Sequence, residues 1–145
     1  IAAALDRGAL FTAAQLVGIA QRCVDMAVDY ARGRQQFGKP ISSFQNTKFV
    51  LAEIATEVDV TQPFIDQCVV KLNAGELSPA DAAKSKLWGS ELQKRTTDRC
   101  LQLFGGYGYM TEYPIGTAYA DARISTIYGG TSEIMKTIIS KDVLA

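Results

Sequence analysis

Apolar residues recur at helical spacing along most of this chain. Leu10, Ala13, Val17, Ala20, Val24, Ala27 and Ala31 trace one stripe between about Leu5 and Gly33, and Leu16, Ile19, Cys23 and Tyr30 widen it. So broad an apolar face suits a helix packed inside a bundle. Gly33 closes that helix, and Gly38-Lys39-Pro40 makes a turn. A second helix is predicted from about Ser43 to Asn73, with Leu51, Ile54, Val58, Ile65, Cys68 and Leu72 in period. Pro63 falls inside it. A proline lacks the N–H and crowds the preceding turn, which costs about 3 kcal/mol in a straight helix. Because the stripe resumes in phase, the pattern predicts a kink near Asp59 to Pro63 rather than an end. Asn73-Ala74-Gly75-Glu76 is the exit.

Ser78-Pro79 opens a third helix, with Ser78 as N-cap, Pro79 at the first helical position and Asp81 adding favourable charge to the first turn. It runs to about Phe104. Lys84, Lys86, Glu91, Lys94, Arg95, Asp98 and Arg99 make it the most charged of the long helices. Gly105-Gly106-Tyr107-Gly108 ends it. A loop from Thr111 to Ser125 holds a short helix around Ile115 to Arg123, and a last helix spans about Thr131 to Lys141. Short connectors and no alternating strand pattern predict an all-α, up-and-down four-helix bundle, a single domain over residues 1–145.

Composition narrows the chemistry. The 145 residues are long enough to bury a real core, and 48% are hydrophobic. Fifteen basic and fifteen acidic residues cancel, with no long run of either sign, so nothing argues for nucleic acid or an anionic membrane as partner. No apolar run approaches the roughly 20 residues of a membrane span. Three widely spaced cysteines, Cys23, Cys68 and Cys100, suit neither a disulfide framework nor a zinc site. They are expected to be free, small and buried. The chain contains no histidine, which removes imidazole bases, Ser-His triads and histidine metal sites. The chain starts without Met and without a basic-then-apolar leader, so it reads as a piece of something longer.

Three glycine-bearing stretches are the candidates for function. The first is Ile127-Tyr128-Gly129-Gly130-Thr131-Ser132-Glu133-Ile134-Met135-Lys136. It reads as a turn opening a helix, with Thr131 or Ser132 as cap and Glu133 at the positive end of the dipole. The first N–H groups of such a helix have no partner inside it and suit an anion or a polar cofactor edge. The plain alternative is a glycine turn before a helix. The second stretch is Arg34-Gln35-Gln36-Phe37-Gly38-Lys39-Pro40-Ile41, followed by Phe44-Gln45. Arg34 suits a pyrophosphate held by two parallel hydrogen bonds, or equally a solvated helix C-terminus. The third is Gln102-Leu103-Phe104-Gly105-Gly106-Tyr107-Gly108-Tyr109, followed by Glu112-Tyr113-Pro114. Its glycine pair removes side chains where a backbone must approach a ligand, or simply stops a helix.

Together and in this order, the three stretches resemble the C-terminal helical domain of the acyl-CoA dehydrogenase flavoproteins, from about Asp6 to the last residue. The resemblance implies flavin adenine dinucleotide (FAD) as cofactor and α,β-dehydrogenation of an acyl-CoA thioester as reaction. It assigns cofactor contacts to Arg34 (the pyrophosphate), Phe37 (an aromatic beside the dinucleotide), Phe44 and Gln45 (near the adenine half), then Gln102, Gly105 and Gly106, then Gly130, Thr131 and Ser132. In the family the cofactor reaches across from a neighbouring subunit. Tyr128 lies beside the flavin and thioester, with a core tyrosine as the plain alternative. The resemblance also implies a homo-oligomer, dimer or tetramer, an electron-transferring flavoprotein as electron acceptor, and a bacterial cytoplasm or mitochondrial matrix as location. The family's two other domains lie outside these residues, so the chain by itself is expected to be inactive and to bind flavin weakly or not at all.

The pattern breaks at the base. Most members carry a carboxylate directly before the Gly-Thr of the turn; here that position is Gly129. Long-chain and branched-chain members place it near the start of the first helix, a position that falls at Gly8, followed by Ala9 in place of the usual Arg. Asp6 and Arg7 stand two residues earlier, about 200° around a helix. Asp6 is the candidate base and Arg7 a candidate substrate contact, with a dipole-stabilised helix N-terminus as the alternative for Asp6. Glu112 and Asp121 are expected to be surface or salt-bridge residues. A second functional reading follows: a non-catalytic, flavin-binding or oligomerisation subunit whose partner supplies the carboxylate.

Overall fold

A computed structural model of the chain describes residues 2–145, and their side chains from residue 4 onward. Five α-helices occur among the described residues: α1 (Ala2–Gly33), α2 (Gln45–Ala74), α3 (Pro79–Phe104), α4 (Pro114–Ala122) and α5 (Ser132–Val143). Short 3-10 turns cover Ile41–Ser43, Gly105–Tyr109 and Arg123–Thr126. The predicted stripe of α1 is the core: Leu10, Ala13, Val17, Ala20, Val24, Ala27 and Ala31 are all buried. Ile54, Val58, Ile65 and Cys68 of α2 meet it, together with Leu92, Cys100 and Phe104 of α3.

Contacts between the helices fix their directions. Cys23 meets Thr97, and Tyr30 meets Phe104, so α1 and α3 run parallel. An ideal Cβ at Gly89 would lie 3.3 Å from the Ala13 Cα, so small residues set how near these two helices come. Glu57 pairs with Arg95 at 2.9 Å, Glu53 with Arg99, and Lys71 with Asp81 at 2.7 Å, so α2 is antiparallel to α3. Helix α5 returns along α3, from Ser132 near Glu91 to Asp142 near Lys84. The up-and-down bundle is therefore as predicted, with α3 at its centre touching the other four helices.

Local signals explain most boundaries. The Ser78 hydroxyl accepts from the Asp81 N–H at 3.0 Å, with Pro79 at the first helical position. Gly75 closes α2 in the left-handed conformation. Helix α2 runs unbroken through Pro63, which is exposed, so the Asp59 carbonyl it frees faces water. One expectation is corrected. The stretch after α1 is not a plain turn but a minimal antiparallel hairpin, β1 (Gln35–Gln36) with β2 (Lys39–Pro40). Phe37 (φ 51°) and Gly38 (φ 77°) both take positive φ at its tip, as a tight hairpin requires. All three cysteines are free and buried, as expected. Burial, with Cys23 nearby, pushes the Cys100 thiol up to about 12.

Candidate functional site

The candidate residues fall into two groups at opposite ends of α3. Lys86, beside the last turn, and Phe104, beside the second cleft, are eighteen residues apart on that helix, about 27 Å along its axis.

At one end the chain leaves the 3-10 turn Arg123–Thr126, passes Tyr128 and two glycines of positive φ (Gly129 at 64°, Gly130 at 100°), and enters α5. Thr131 is the N-cap, its hydroxyl accepting from the Ile134 N–H at 3.3 Å. Its neighbour Ser132 donates to Glu91 Oε1 at 3.1 Å. The Glu133 carboxyl is exposed and held below its usual range, first by its own backbone N–H and then by the Thr131 hydroxyl. Beneath the turn lies Lys86, fully buried, whose Nζ donates to the Gly130 carbonyl at 2.6 Å and to that of Ser125 at 3.0 Å. Burial holds its ammonium pKa below the ordinary lysine value, and Glu91 opposes this.

Asp6 comes to this turn from 123 residues away in sequence. It is half-buried on α1 and lines a small cavity of about 180 Å³ with Ala9, Gly129, Gly130 and Met135. Arg7, one residue on, is exposed and does not line that cavity. Neither does Gly8, where a Cβ would meet nothing within 4 Å. Tyr128 is 40% exposed, its ring 6.0 Å from the Lys86 ammonium, so the plain alternative of a buried core tyrosine does not hold.

At the other end, a cleft of about 610 Å³ opens between the exit of α1 and the exit of α3, lined by Tyr30, Arg34, Gln102, Gly105, Gly106 and Tyr107. Tyr30 stacks on Phe104 at 4.0 Å and donates its hydroxyl to the Phe104 carbonyl at 3.3 Å. Desolvation raises the Tyr30 phenol, and the Arg34 charge partly offsets it. The Arg34 guanidinium sits 5.0 Å over the Tyr107 ring. With the Gln36 amide oxygen turned toward it, Arg34 donates through Nη2 at 2.8 Å and Nε at 3.2 Å. Gly105 needs its positive φ of 58° to cap α3. Gly106 does not have positive φ, and a Cβ there would meet nothing within 4 Å, so the chain's own packing gives no reason for glycine at this position.

Phe37 stands at the hairpin tip, 92% exposed, edge-on to Phe44 at 6.2 Å. The Lys39 ammonium lies 4.5 Å over the Phe44 ring. Phe44 is the N-cap position of α2 without a side-chain cap bond, and Gln45 is exposed as the first helical residue, so the alternative of a Gln45 cap is not realised. Glu112 and Asp121 are exposed, as expected. Sequence reasoning missed Lys86 and Glu91, taken simply as part of a charged helix. A signal was present: Ala82, Lys86, Ser90, Gln93, Thr97, Cys100 and Phe104 repeat every three or four residues and are all buried.

Comparison with known proteins agrees with this architecture. The chain belongs to the acyl-CoA dehydrogenase family, whose C-terminal domain it matches over residues 1–144. It is 44% identical over 117 residues to the long-chain specific acyl-CoA dehydrogenase of rat mitochondria, covering 81% of this chain and 27% of that protein. It is 38% identical over 141 residues to an NADH-dependent acryloyl-CoA reductase of Anaerotignum propionicum, covering 97% of this chain and 36% of that protein. The structure of butyryl-CoA dehydrogenase from Megasphaera elsdenii superposes with a TM-score of 0.94 at 36% identity, covering 97% of this chain and 37% of that one. The chain thus spans about a quarter to a third of the length of these relatives.

Proposed function

We propose that residues 1–145 form the C-terminal helical domain of an FAD-dependent enzyme that oxidises an acyl-CoA thioester between its α and β carbons. The observation that carries this reading is the cleft at the end of α3: a cationic, aromatic-backed floor whose Gly106 keeps open a space that nothing in the chain fills. Those residues fit a dinucleotide. Arg34 would hold the pyrophosphate, Gln102, Gly105 and Gly106 would let it approach the backbone, Phe37 would lie beside the dinucleotide, and Phe44 with Gln45 would flank the adenine half. Gly130, Thr131 and Ser132 would hold the other half of a cofactor, at the opposite end of α3. When bound, the flavin supplies the hydride acceptor.

This chain's own task in such a reaction is to place a carboxylate at the α-proton and to orient the thioester. Gly129 has no side chain to do the first, and Gly8 has none either. Asp6 lines a cavity with Gly129 and Gly130 themselves, whereas Glu91 and Glu133 line one on the Thr131 side of the turn, so Asp6 is the proposed base. Tyr128, exposed beside the turn, forms part of the thioester's wall, whereas exposed Arg7 acts at most on the outer, charged part of a substrate. Dimeric or tetrameric assembly, electron delivery to an electron-transferring flavoprotein, and residence in bacterial cytoplasm or mitochondrial matrix complete the proposal. Among the described residues no helix is long and apolar enough to cross a membrane.

A specific observation favours a second reading. Neither Gly129 nor Gly8, the two positions at which the family resemblance implies a base, is acidic here, which suits a subunit that binds flavin while a partner chain brings the carboxylate. The anaerobic visible spectrum of the full-length protein separates the two. Bleaching of bound flavin by one of a set of acyl-CoAs supports the dehydrogenase and identifies its substrate class. Flavin that none of them reduces supports the partner-subunit reading.

A further inference from the structure

The buried ammonium of Lys86 has no role in the reading above. It comes from the N-terminal third of α3, is 0% exposed, and makes no salt bridge to a described residue. Its nearest acid, Glu91, is occupied by the Ser132 hydroxyl. A methionine of similar length would fill the same space without the cost of burying a charge. What the lysine adds is donors, and it spends two of them on carbonyls five residues apart, Ser125 and Gly130.

We propose that Lys86 is the positioning residue of the glycine turn: its ammonium ties Ser125 to Gly130, closes the loop between them, and turns the Thr131 N–H outward as a free donor. The last step follows from peptide geometry. The Gly130–Thr131 bond is trans, so its C=O and N–H point in opposite directions. Drawing the Gly130 carbonyl down onto α3 sends the Thr131 N–H away from it. That N–H makes no hydrogen bond to another described group, whereas the Thr131 hydroxyl is used inside the cap. Two glycines of positive φ would otherwise let this peptide rotate. Glu91 grips the next residue through the Ser132 hydroxyl, so α3 holds the turn from both sides of the exposed peptide. The consequence for cofactor binding rests on the function proposed above; the clamp itself rests on the geometry.

Hydrogen exchange in the full-length protein tests it. In Lys86→Met, peptides covering residues 124–131 are expected to exchange about tenfold faster or more, the effect of losing hydrogen bonds to a charged donor. Peptides from α1 and α2 keep their rates, and flavin affinity falls about tenfold. Unchanged exchange at the turn overturns the proposal, as does acceleration of α1 and α2 in step with it, which marks a purely structural lysine. Lys86→Gln, with an N–H₂ on a shorter stem, is expected to give an intermediate rate and serves if the methionine variant does not fold. A faster turn with unaltered flavin affinity supports the clamp and overturns the flavin reading of the turn instead.

Discussion

Single residues at the glycine turn set two opposed requirements, a carboxylate that must ionise and a lysine that is buried. Asp6 is half-buried against Gly129 and Gly130, at the edge of a small cavity rather than in a sealed core. If it is the base, Asp6→Asn in the full-length enzyme lowers turnover by roughly 10²–10⁴-fold, the usual contribution of a positioned general base, with flavin content unchanged. Turnover equal to wild type eliminates Asp6. Lys86 affects stability rather than turnover alone. Its pKa is lowered in the fold, so the unfolded chain binds more protons between the folded pKa and the ordinary value of 10.5. Its contribution to stability is therefore poorest while it is charged and improves as pH rises through that window. The difference in unfolding free energy between wild type and Lys86→Met should shift in favour of wild type from pH 7 toward 10.5. A difference that stays flat, measured by denaturant titration at each pH, removes the burial argument. Taking the difference cancels the groups that titrate alike in both proteins.

At the scale of elements, legibility in the sequence followed the strength of local rules. Helices α1, α2 and α3 were readable because their apolar residues keep a 3.6 period and their ends carry Gly33, Gly75 and the Ser78-Pro79 pair. The Ser78 cap gives a direct check. Ser78→Ala leaves the Asp81 N–H without its acceptor and should cost about 1 kcal/mol by urea denaturation. A loss below a few tenths would mean that the neighbouring Lys71–Asp81 pair, at 2.7 Å, holds this end alone. The hairpin after α1 was not readable, since Gln35, Gln36, Lys39 and Pro40 show no alternation and Phe37-Gly38 lacks the Asn-Gly or Asp-Gly signature of its turn. The role of Lys86 was hidden for another reason: lysine reads as surface, and only the burial of the whole Ala82-to-Phe104 stripe reveals that it points inward. The approach of Asp6 to Gly129 is tertiary, since it depends on how α1, α3 and α5 pack, and no local pattern contains it.

For the whole molecule, the decisive quantity is the length of α3. Arg34 and Gly106 lie at its C-terminal end, and Gly130 to Ser132 lie beside Lys86 and Glu91, about 20 to 27 Å away along the axis. On the function proposed above, one chain offers two separated half-sites, and we propose that a cofactor takes its two sets of contacts from two copies. A two-fold axis completes both at once, because each copy presents the same pair of surfaces to the other. Mixed oligomers of the full-length protein test this directly. Arg34→Ala disables the first half-site and Lys86→Met, which frees the glycine turn, the second, so each variant alone should lose most of its flavin. Refolded together in equal amounts, they form mixed pairs in which one of the two sites combines an intact Arg34 with an intact Lys86. Random pairing then restores flavin to about a quarter of all sites. If a single chain holds its own cofactor, no site in the mixture is whole and its flavin content stays at the level of the separate variants.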